Sequence, residues 1–567
     1  MTEVADKQPI ERPAGETGLG REILVVACLV LIAAAVRTYI AYATYCISKD
    51  SVRFLDLAQC LREREFGSFF ENVQHHLYPF LLFAAQDVVG TGVAAALALN
   101  VAAGSLAVIP FYLLARNVFG RKAAAAAGLF FAFHAVLAQT AATVATEPLY
   151  LLAFLWALYA GKRAIDAGGA FLFTITGFLI GLTFLVRPEG LGLWVLIGGW
   201  TLLMGLLKTL GALILRREYA PSGARLLGGC VLMAAATGVT VFPHLLETRL
   251  LAGQWGLTRK HEMGQIVRGE PIYSPSQKGQ PEIGTRQEQI RYALTYLNEI
   301  ADESLWGYHL VSALPLFYLL GVLCRRSQPR ELLGELILAS ASAAYLAAVV
   351  QFLRVHHYVT ERHLISSAVI VLMWAGAGFR AASDRIARLL ARYDKLERAP
   401  ARITAVLLML VTLGTMSLKT LQPIREEKAQ IPELGERIRR QFPPPKGRAT
   451  RIASFGLPRV VFYAGGRQIR ADRYIYRLIE GSERVYESFM KGAAADRPDL
   501  LLLQLGAKAG AGDAARDIEI HEALERRNIA PDQVLEYEDD DGAWRLLLYR
   551  FDKLPPPSAK RDGKEGE

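Results

Sequence analysis

Residues 23–46 read ILVVACLVLIAAAVRTYIAYATYC, an almost uninterrupted apolar run near the N-terminus. A helix needs about 20 apolar residues to cross the hydrocarbon core of a bilayer, because every backbone amide must find its hydrogen-bond partner within the segment. This run meets that length and is longer than the apolar core of a signal peptide. It predicts a membrane anchor that stays in the mature chain.

Similar apolar stretches recur over the first three quarters of the chain. The predicted spans are residues 23–45, 92–115, 122–142, 147–161, 170–187, 190–207, 226–246, 306–323, 331–352, 364–380 and 402–419. The composition agrees, since 52% of the residues are hydrophobic and the mean hydropathy is +0.24. We therefore expect an α-helical polytopic membrane protein with about eleven transmembrane helices.

Basic residues occupy every second connection between the predicted spans. They include Arg116, Arg121 and Lys122; Lys162 and Arg163; Lys208, Arg216, Arg217 and Arg225; Arg325, Arg326 and Arg330; and the run from Arg380 to Arg402. Basic connections are retained in the cytoplasm, which predicts a cytoplasmic N-terminus and an extracytoplasmic C-terminal segment. The positive charges thus lie in short clusters between the spans rather than on one soluble face. No nucleic-acid partner is predicted from the net charge of +10.

The segment after residue 421 has a different character. Charges are frequent, and short apolar runs at 451–455, 460–463, 499–504 and 544–549 predict strands, with a helix at 517–527. We expect an α/β soluble domain at 422–567, with prolines 443–445 as a linker and prolines 555–557 in a disordered tail. The pair Gly465-Gly466 after a predicted strand indicates a turn rather than a nucleotide-binding loop.

The first long connection gathers the polar groups. Residues 46–83 read CISKDSVRFLDLAQCLREREFGSFFENVQHHLYPFLLF. Asp50 and Arg53 are spaced i, i+3 and share one face of the predicted helix, while His75 and His76 precede a Tyr-Pro turn. Ionisable groups at the edge of a membrane are costly and are candidates for function.

An ordered set of motifs resembles the membrane-embedded GT-C glycosyltransferases, in particular the aminoarabinose transferases and the protein O-mannosyltransferases. The matching positions are the D-x-x-R-F of residues 50–54, the His pair before Tyr78-Pro79, LARNVFG at 114–120, Thr146-Glu147-Pro148, RPEG at 187–190 and ERHL at 361–364. The His pair departs from the family, where lysine or a single histidine is usual. Arg187 also stands where the family often has lysine.

The resemblance implies a function and a location. It implies a GT-C catalytic domain at 23–421, behind a cytoplasmic tail at 1–22, that transfers sugar with inversion. The implied donor is a polyprenyl phosphate such as undecaprenyl phosphate, and the acceptor is a lipid, a glycan or a protein on the outer face of a bacterial inner membrane. Beyond the bilayer, these substrates are the expected partners. No cofactor is expected, and a divalent metal is compatible with the sequence but not indicated, because the five scattered cysteines lack metal-ligand spacing.

The resemblance also implies roles for seven residues. Asp50 would be the general base and Glu147 a second catalytic acid residue. The implied binders of the donor phosphate or substrate are Arg53, His75, His76, Arg187 and Arg362. Bidentate pairing with phosphate oxygens favours arginine in such a set.

Structural explanations compete with these roles. Ser48 and Asp50 are both good helix N-caps, so Asp50 could serve only to cap a helix, and Glu147 could simply stabilise the start of one. Arg187 could be an interfacial residue that extends its charge to water, and the His pair an interfacial polar pair. For the whole chain, the alternatives are a polytopic transporter, with Arg37 as a buried charge, or a non-catalytic component of envelope assembly.

Overall fold

The computed structural model describes residues 17–71, 75–90, 92–215, 220–253, 255–257, 291, 314–323, 331–356, 360–390, 399–445, 449–455, 457–470, 482–496, 498–506, 513–539 and 542–554. The predicted proline tail at 555–557 and the first part of the predicted span 306–323 lie outside these residues.

Helices occupy most of the described chain up to residue 420. They are α1 (Thr17–Ala43), α2 (Lys49–Arg62), α3 (Phe66–Glu71), α4 (Leu77–Val89), α5 (Gly92–Leu106), α6 (Val108–Phe119), α7 (Arg121–Phe133), α8 (Ala135–Ala141), α9 (Glu147–Ala167), α10 (Ala170–Val186), α11 (Gly192–Leu215), α12 (Ala220–Ala252), α13 (Leu314–Leu323), α14 (Leu332–His356), α15 (Ile365–Leu390) and α16 (Ala399–Thr420). Short 3-10 helices at Pro188–Leu191 and Glu361–His363 precede α11 and α15.

The helices account for the predicted spans. Within the described residues, seven helical segments are long and apolar enough to cross a membrane, or eight if α7 and α8 form one span bent by 56°. The shorter apolar α10, the polar-ended α9 and the ten described residues of α13 coincide with the other three predicted spans. The chain is therefore a multi-pass membrane protein. The predicted orientation of its termini stays a prediction.

Small residues let α10 and α12 approach closely. A Cβ atom on Gly177 would lie 2.2 Å from the carbonyl oxygen of Met233, and one on Gly181 would lie 2.5 Å from the Thr240 side chain. Helices in lipid associate through such close packing because no hydrophobic effect drives them together. The contact brings the C-terminal ends of the two helices to the same place.

The bend between α7 and α8 has partners for the carbonyls that it exposes. His134 takes an extended backbone conformation between the two helices, which breaks the helical hydrogen-bond ladder. Thr420 Oγ1 donates to the carbonyl of Phe133 at 2.5 Å, and Arg37 donates to that of Ala132 at 3.4 Å. Arg37 also lies over the ring of Phe131, so the buried charge of the first span holds the bend.

Three helices of the first loop, α2, α3 and α4, lie against the end of the bundle. The helix α2 begins with a reciprocal capping box between Ser48 and Ser51. Its buried face meets α4 through an edge-to-face contact of Phe54 and Tyr78, whose ring centroids are 5.0 Å apart. This packing fixes α2 and the side chains in its first turn.

The C-terminal segment forms a five-stranded sheet. Its elements are α17 (Gln430–Gln441), β1 (Thr450–Ser454), α18 (Pro458–Tyr463), β2 (Gly466–Arg470), α19 (Ser482–Asp496), β3 (Leu500–Gly506), α20 (Asp513–Arg526), β4 (Gln533–Asp539) and β5 (Gly542–Arg550). The strand order is β2-β1-β3-β5-β4. The first three strands of this order are parallel, and β5 is antiparallel to β3 and β4.

One predicted strand is wrong. Residues 460–463 form the helix α18, which starts at Pro458 as its first residue. Proline is preorganised for the first helical turn, and the buried Val460 and Val461 pack against Leu434 of α17. Tertiary packing thus overrides the strand propensity of these residues. The predicted turn is present, with Gly465 at a φ of 67° that suits glycine.

The sheet segment contacts the first loop. Tyr463 Oη accepts a hydrogen bond from the Ile47 amide at 3.1 Å, and Arg425 donates to the Cys46 carbonyl at 2.9 Å. Arg467 of β2 pairs with Glu65 just after α2 at 2.7 Å. These contacts tie the sheet to the beginning and the end of α2. The predicted domain division at residues 22 and 421 stays a prediction.

Candidate active site

Asp50 lies in the first turn of α2 and faces another segment of the chain. Ser48 is the N-cap of α2, so the alternative that Asp50 caps this helix is wrong. The Asp50 carboxylate accepts a hydrogen bond from Arg362 Nη1 at 2.7 Å. Both side chains are about half exposed, at 54% and 44%. This is therefore an ion pair at the surface of the bundle.

Arg362 links Asp50 to a second carboxylate. It belongs to the short 3-10 helix Glu361–His363, which Thr360 caps through a reciprocal contact with His363. Its Nη1 atom is 4.0 Å from Glu147 Oε1. Burial alone would lower the pKa of Arg362, but Glu147 and Asp50 raise it above its ordinary value. Arg362 thus remains a cation between two acids.

Glu147 is the first residue of α9, and its side chain is only 4% exposed. The turn before it is held from two sides. Asn100 of α5 donates to the carbonyls of Thr143 and Ala145, and Ser51 of α2 donates to that of Val144. A buried carboxylate requires a partner. Glu147 therefore does more than stabilise the start of α9.

Arg187 is that partner. It follows α10 in an extended conformation, and its Nη1 atom donates to Glu147 Oε1 at 2.7 Å. The same guanidinium pairs with Glu189 at 3.2 Å and lies 5.7 Å from the ring centroid of Tyr150. The alternative of an interfacial arginine reaching only for water does not fit, because Arg187 bridges two carboxylates.

The five charges form a continuous row, which we call the acid–arginine row. Its members alternate in sign in the order Asp50, Arg362, Glu147, Arg187, Glu189. Three carboxylates and two guanidiniums leave one negative charge in excess. Arg53 lies one turn after Asp50 on α2, half-buried, and adds a cation on the same helix face.

His363 adds a neutral group beside the row. Its Nδ1 atom lies 3.1 Å from the amide nitrogen and 3.2 Å from the carbonyl oxygen of Thr360. Burial and the nearby Arg187 and Arg362 lower the pKa of His363 to about 4. His363 is thus uncharged at neutral pH and adds no positive charge to the row.

The two histidines of the first loop are grouped with α12. The His75 ring stacks on His244 with centroids 4.8 Å apart and meets the edge of Phe184. His76 Nδ1 is 3.2 Å from Glu247 Oε2. Both histidines belong to a second polar cluster beside the end of α10. Their predicted role in binding the donor phosphate or substrate stays a prediction.

Sequence reasoning missed several residues of these clusters. Glu189 belongs to the RPEG motif, where its acidic charge two residues after Arg187 is the signal that could have identified it. Tyr345 donates to the Glu189 carbonyl at 3.2 Å, and Tyr150 contacts Ser366 at 3.1 Å. Both tyrosines lie in apolar spans, and nothing in the sequence pattern indicates that they lie near the acid–arginine row.

Comparisons with known proteins agree with this architecture. Residues 76–215 match the family model of dolichyl-phosphate-mannose-protein mannosyltransferases. That segment includes Glu147, Arg187 and Glu189 but neither Asp50 nor Arg362. No curated protein sequence matches the chain significantly.

Solved structures resemble the chain over most of its length. ArnT from Cupriavidus metallidurans bound to undecaprenyl phosphate aligns with a TM-score of 0.54 at 13% identity, covering 93% of this chain and 98% of that one. The apo oligosaccharyltransferase of Archaeoglobus fulgidus aligns with a TM-score of 0.48 at 14% identity, covering 86% and 70%. At such low identity the likeness to ArnT establishes the fold alone.

The chain thus has the GT-C fold of membrane glycosyltransferases, as its motifs predicted. Within that class, its residues 76–215 are similar to the dolichyl-phosphate-mannose-protein mannosyltransferases. The family match and the fold together support a membrane glycosyltransferase.

Proposed function

We propose that this protein is an inverting glycosyltransferase that moves a sugar from a polyprenyl-phosphate donor to a lipid, glycan or protein acceptor. The observation that carries the proposal is the position of Arg362, 2.7 Å from Asp50 and 4.0 Å from Glu147. Arg362 thereby brings two carboxylates from distant segments together, and Arg187 adds a second guanidinium beside Glu147, which supports a phosphate-binding site at one end of the bundle. ArnT of similar fold is known with undecaprenyl phosphate bound, which supports the donor class.

Asp50 has the exposure that a general base needs. In the proposed reaction it takes the proton of the acceptor hydroxyl while that oxygen attacks the anomeric carbon. The bond between this carbon and the phosphate oxygen breaks, and the phosphate leaves with the electron pair. One displacement inverts the anomeric configuration, whereas retention needs a second carboxylate as nucleophile. Glu147 is unsuited to that role because it is buried against Arg187.

Arginines of the row would bind the phosphate. An ion pair exposed to water, such as Asp50–Arg362, contributes only about 0–1 kcal/mol. A donor phosphate can therefore replace Asp50 at Arg362 at low cost and at the same time release the base. Arg187 and Arg53 are the further cations of this proposed site. Glu147 would hold the two guanidiniums of the row in place.

The proposed location is the inner membrane of a bacterium, with the row and the sheet segment on the outer face. The alternation of basic connections supports this orientation. The buried charge of the first span gives no support to a transporter, because Arg37 donates to the carbonyls of Ala33 and Ala132 at a helix bend. The role of Arg37 is thus structural.

The test is sugar transfer by the purified chain in lipid nanodiscs with a panel of defined polyprenyl-phosphate sugars. Products and released polyprenyl phosphate are identified by mass spectrometry. Asp50→Asn should reduce turnover at least about 100-fold, because general base catalysis contributes on that order. Asp87→Asn is the matched control, since Asp87 is an exposed acid of α4 paired with Arg62. Equal turnover in Asp50→Asn and Asp87→Asn would refute the role of Asp50.

A further inference from the structure

A cluster of two histidines and one glutamate, of which His244 is buried and the other two are partly buried, lies outside the acid–arginine row. His244 and Glu247 are one turn apart on α12, and His76 comes from the end of the first loop just before α4. One ligand atom from each residue, all three within 4.8 Å of one another, could meet at one metal ion. Their side chains are only 7%, 16% and 12% exposed.

The ring nitrogens of His76 are oriented by a backbone contact. Its Nε2 atom is 3.1 Å from the carbonyl oxygen of Phe69, which can only accept a hydrogen bond. The Nε2 atom must therefore carry a proton. In the neutral ring, Nδ1 then presents a lone pair to the Glu247 carboxylate at 3.2 Å. Two acceptors at this distance require a cation between them or a second proton on His76.

His244 repeats the arrangement. Its Nε2 atom is 3.3 Å from the carbonyl oxygen of Leu257, and its Nδ1 atom is 3.9 Å from the same Glu247 oxygen. Two histidines thus donate Nε2–H to backbone carbonyls and direct Nδ1 at one carboxylate. Backbone carbonyls that orient ligating histidines in this way are the usual outer partners of zinc sites. Aromatic contacts of His76 with Phe69 and of His244 with His75 further restrict both rings.

The separations suit a tetrahedral ion. Zinc binds histidine nitrogen and carboxylate oxygen at about 2.0–2.2 Å, which places neighbouring ligand atoms roughly 3.4 Å apart. The distances from Glu247 to the two histidine nitrogens, 3.2 Å and 3.9 Å, lie on either side of this value. All three ligand atoms lie within 4.8 Å of one another, so the binding of an ion requires rotation of the His244 ring toward the other two ligands. Three protein ligands leave one position for water.

We propose that His76, His244 and Glu247 bind a divalent transition-metal ion of the zinc type. Imidazole with one carboxylate is a ligand set that such ions prefer over Mg²⁺ or Ca²⁺. The ion joins the first loop to the end of α12 beside α10, where the His75 ring meets Phe184. The site is a clip that holds this part of the loop to the bundle, and it does not depend on the proposed glycosyl transfer.

The test measures metal content and metal-dependent stability in the full-length chain. The protein is purified through an affinity tag without histidines, so that the column introduces no metal, and its metal content is measured by inductively coupled plasma mass spectrometry. We expect about one ion per chain. Removal of the ion from the wild type by a chelator should lower Tm by at least about 2 °C, and added Zn²⁺ should restore it.

Variants assign the ion to the cluster. Glu247→Gln and His244→Gln should each lose most of the bound ion and the response of Tm to Zn²⁺. Glu525→Gln is the matched control, because Glu525 also pairs with a histidine at 3.2 Å, on α20. Co²⁺ in the metal-free wild type should give the intense visible absorption of tetrahedral coordination.

Two results would overturn the proposal. One is a wild-type protein that is purified without metal and whose Tm changes with neither chelator nor Zn²⁺, which would mean that no metal ion is bound at Glu247. The other is a Zn²⁺ response that persists unchanged in both variants, which would place the ion elsewhere. The chelation experiment needs no substitution, so a variant that fails to fold does not leave the question open.

Discussion

Ionisable side chains at the end of the bundle differ in burial and in how closely an opposite charge lies to them. Glu147 is buried but has Arg187 at 2.7 Å, whereas Asp50 is exposed and can change partner. Loss of one partner from a buried pair costs about 3–5 kcal/mol, while an exposed pair contributes little. Burial therefore separates the residue that holds the row together from the residue that is available for chemistry.

The carboxyl group of Asp56 is buried, and the nearby positive charge offsets only part of the cost of ionising it. It lies on α2, and burial raises its pKa from an ordinary value of 3.8 to about 7, although Arg467 opposes the shift. Its pKa is higher in the folded than in the unfolded state, so ionisation favours unfolding. The contribution of Asp56 to stability is thus least unfavourable below about pH 4 and worsens as the pH rises to about 7.

Asp56→Asn should therefore raise Tm at pH 8 by about 2–4 °C and leave it nearly unchanged at pH 4. Thermal unfolding in detergent, followed by intrinsic fluorescence from pH 4 to pH 8, measures the difference from wild type. Asp87→Asn, at an exposed carboxylate, should follow the wild type at every pH. A lower Tm of Asp56→Asn at pH 8 would contradict the argument.

Among the elements, the bend between α7 and α8 shows how a broken span is stabilised in lipid. Backbone carbonyls that leave the helical ladder need other donors, since no water is available. Thr420 of α16 and Arg37 of α1 supply them from neighbouring helices. The bend consequently links three helices.

Thr420→Val removes a hydroxyl of nearly the same shape and leaves the Phe133 carbonyl without this donor. We expect a loss of about 0.6–2 kcal/mol, seen as a lower Tm. Thr412→Val is the matched control on the same helix, because the Thr412 hydroxyl donates within α16, to the Leu408 carbonyl. Equal changes in Tm for both variants would show that the bond across helices contributes nothing.

At the scale of the whole molecule, the sheet segment and the first loop restrain one another. Arg467 of β2 reaches Glu65 at 2.7 Å, Glu63 at 3.8 Å and the Cys60 sulfur at 3.5 Å. The loop that carries Asp50 is therefore packed between the helical bundle and the sheet. We expect a displacement of the sheet segment to affect α2 more than the other helices.

Arg467→Glu places like charges together and should loosen this contact. A change of about 1 kcal/mol should speed labelling of the buried Cys60 by a maleimide roughly fivefold, as quantified by peptide mass spectrometry. The double variant Arg467→Glu with Glu65→Arg restores opposite charges and should return the rate toward that of the wild type. Labelling that stays slow in Arg467→Glu would show that apolar packing alone holds the contact.

Local properties of the sequence were sufficient to predict the membrane spans and three strands of the sheet. Hydropathy and charge act over single segments, so each predicted span coincides with a helix wherever its residues are described, and the strands near 451, 499 and 544 are present. Residues 460–463 were misread because packing on α17, rather than intrinsic propensity, decides their conformation. The choice of Asp50, Glu147, Arg187 and Arg362 came from ordered motifs, and their catalytic roles stay predictions.

Tertiary structure alone decided which of these residues meet. Asp50 and Arg362 are 312 positions apart, and His76 and Glu247 are 171 apart. Neither pair has a spacing that a helix or strand period could reveal, which is why the candidate metal cluster went unseen. Apolar spans determine that helices form, but the packing of small residues between them determines which helix ends share a surface.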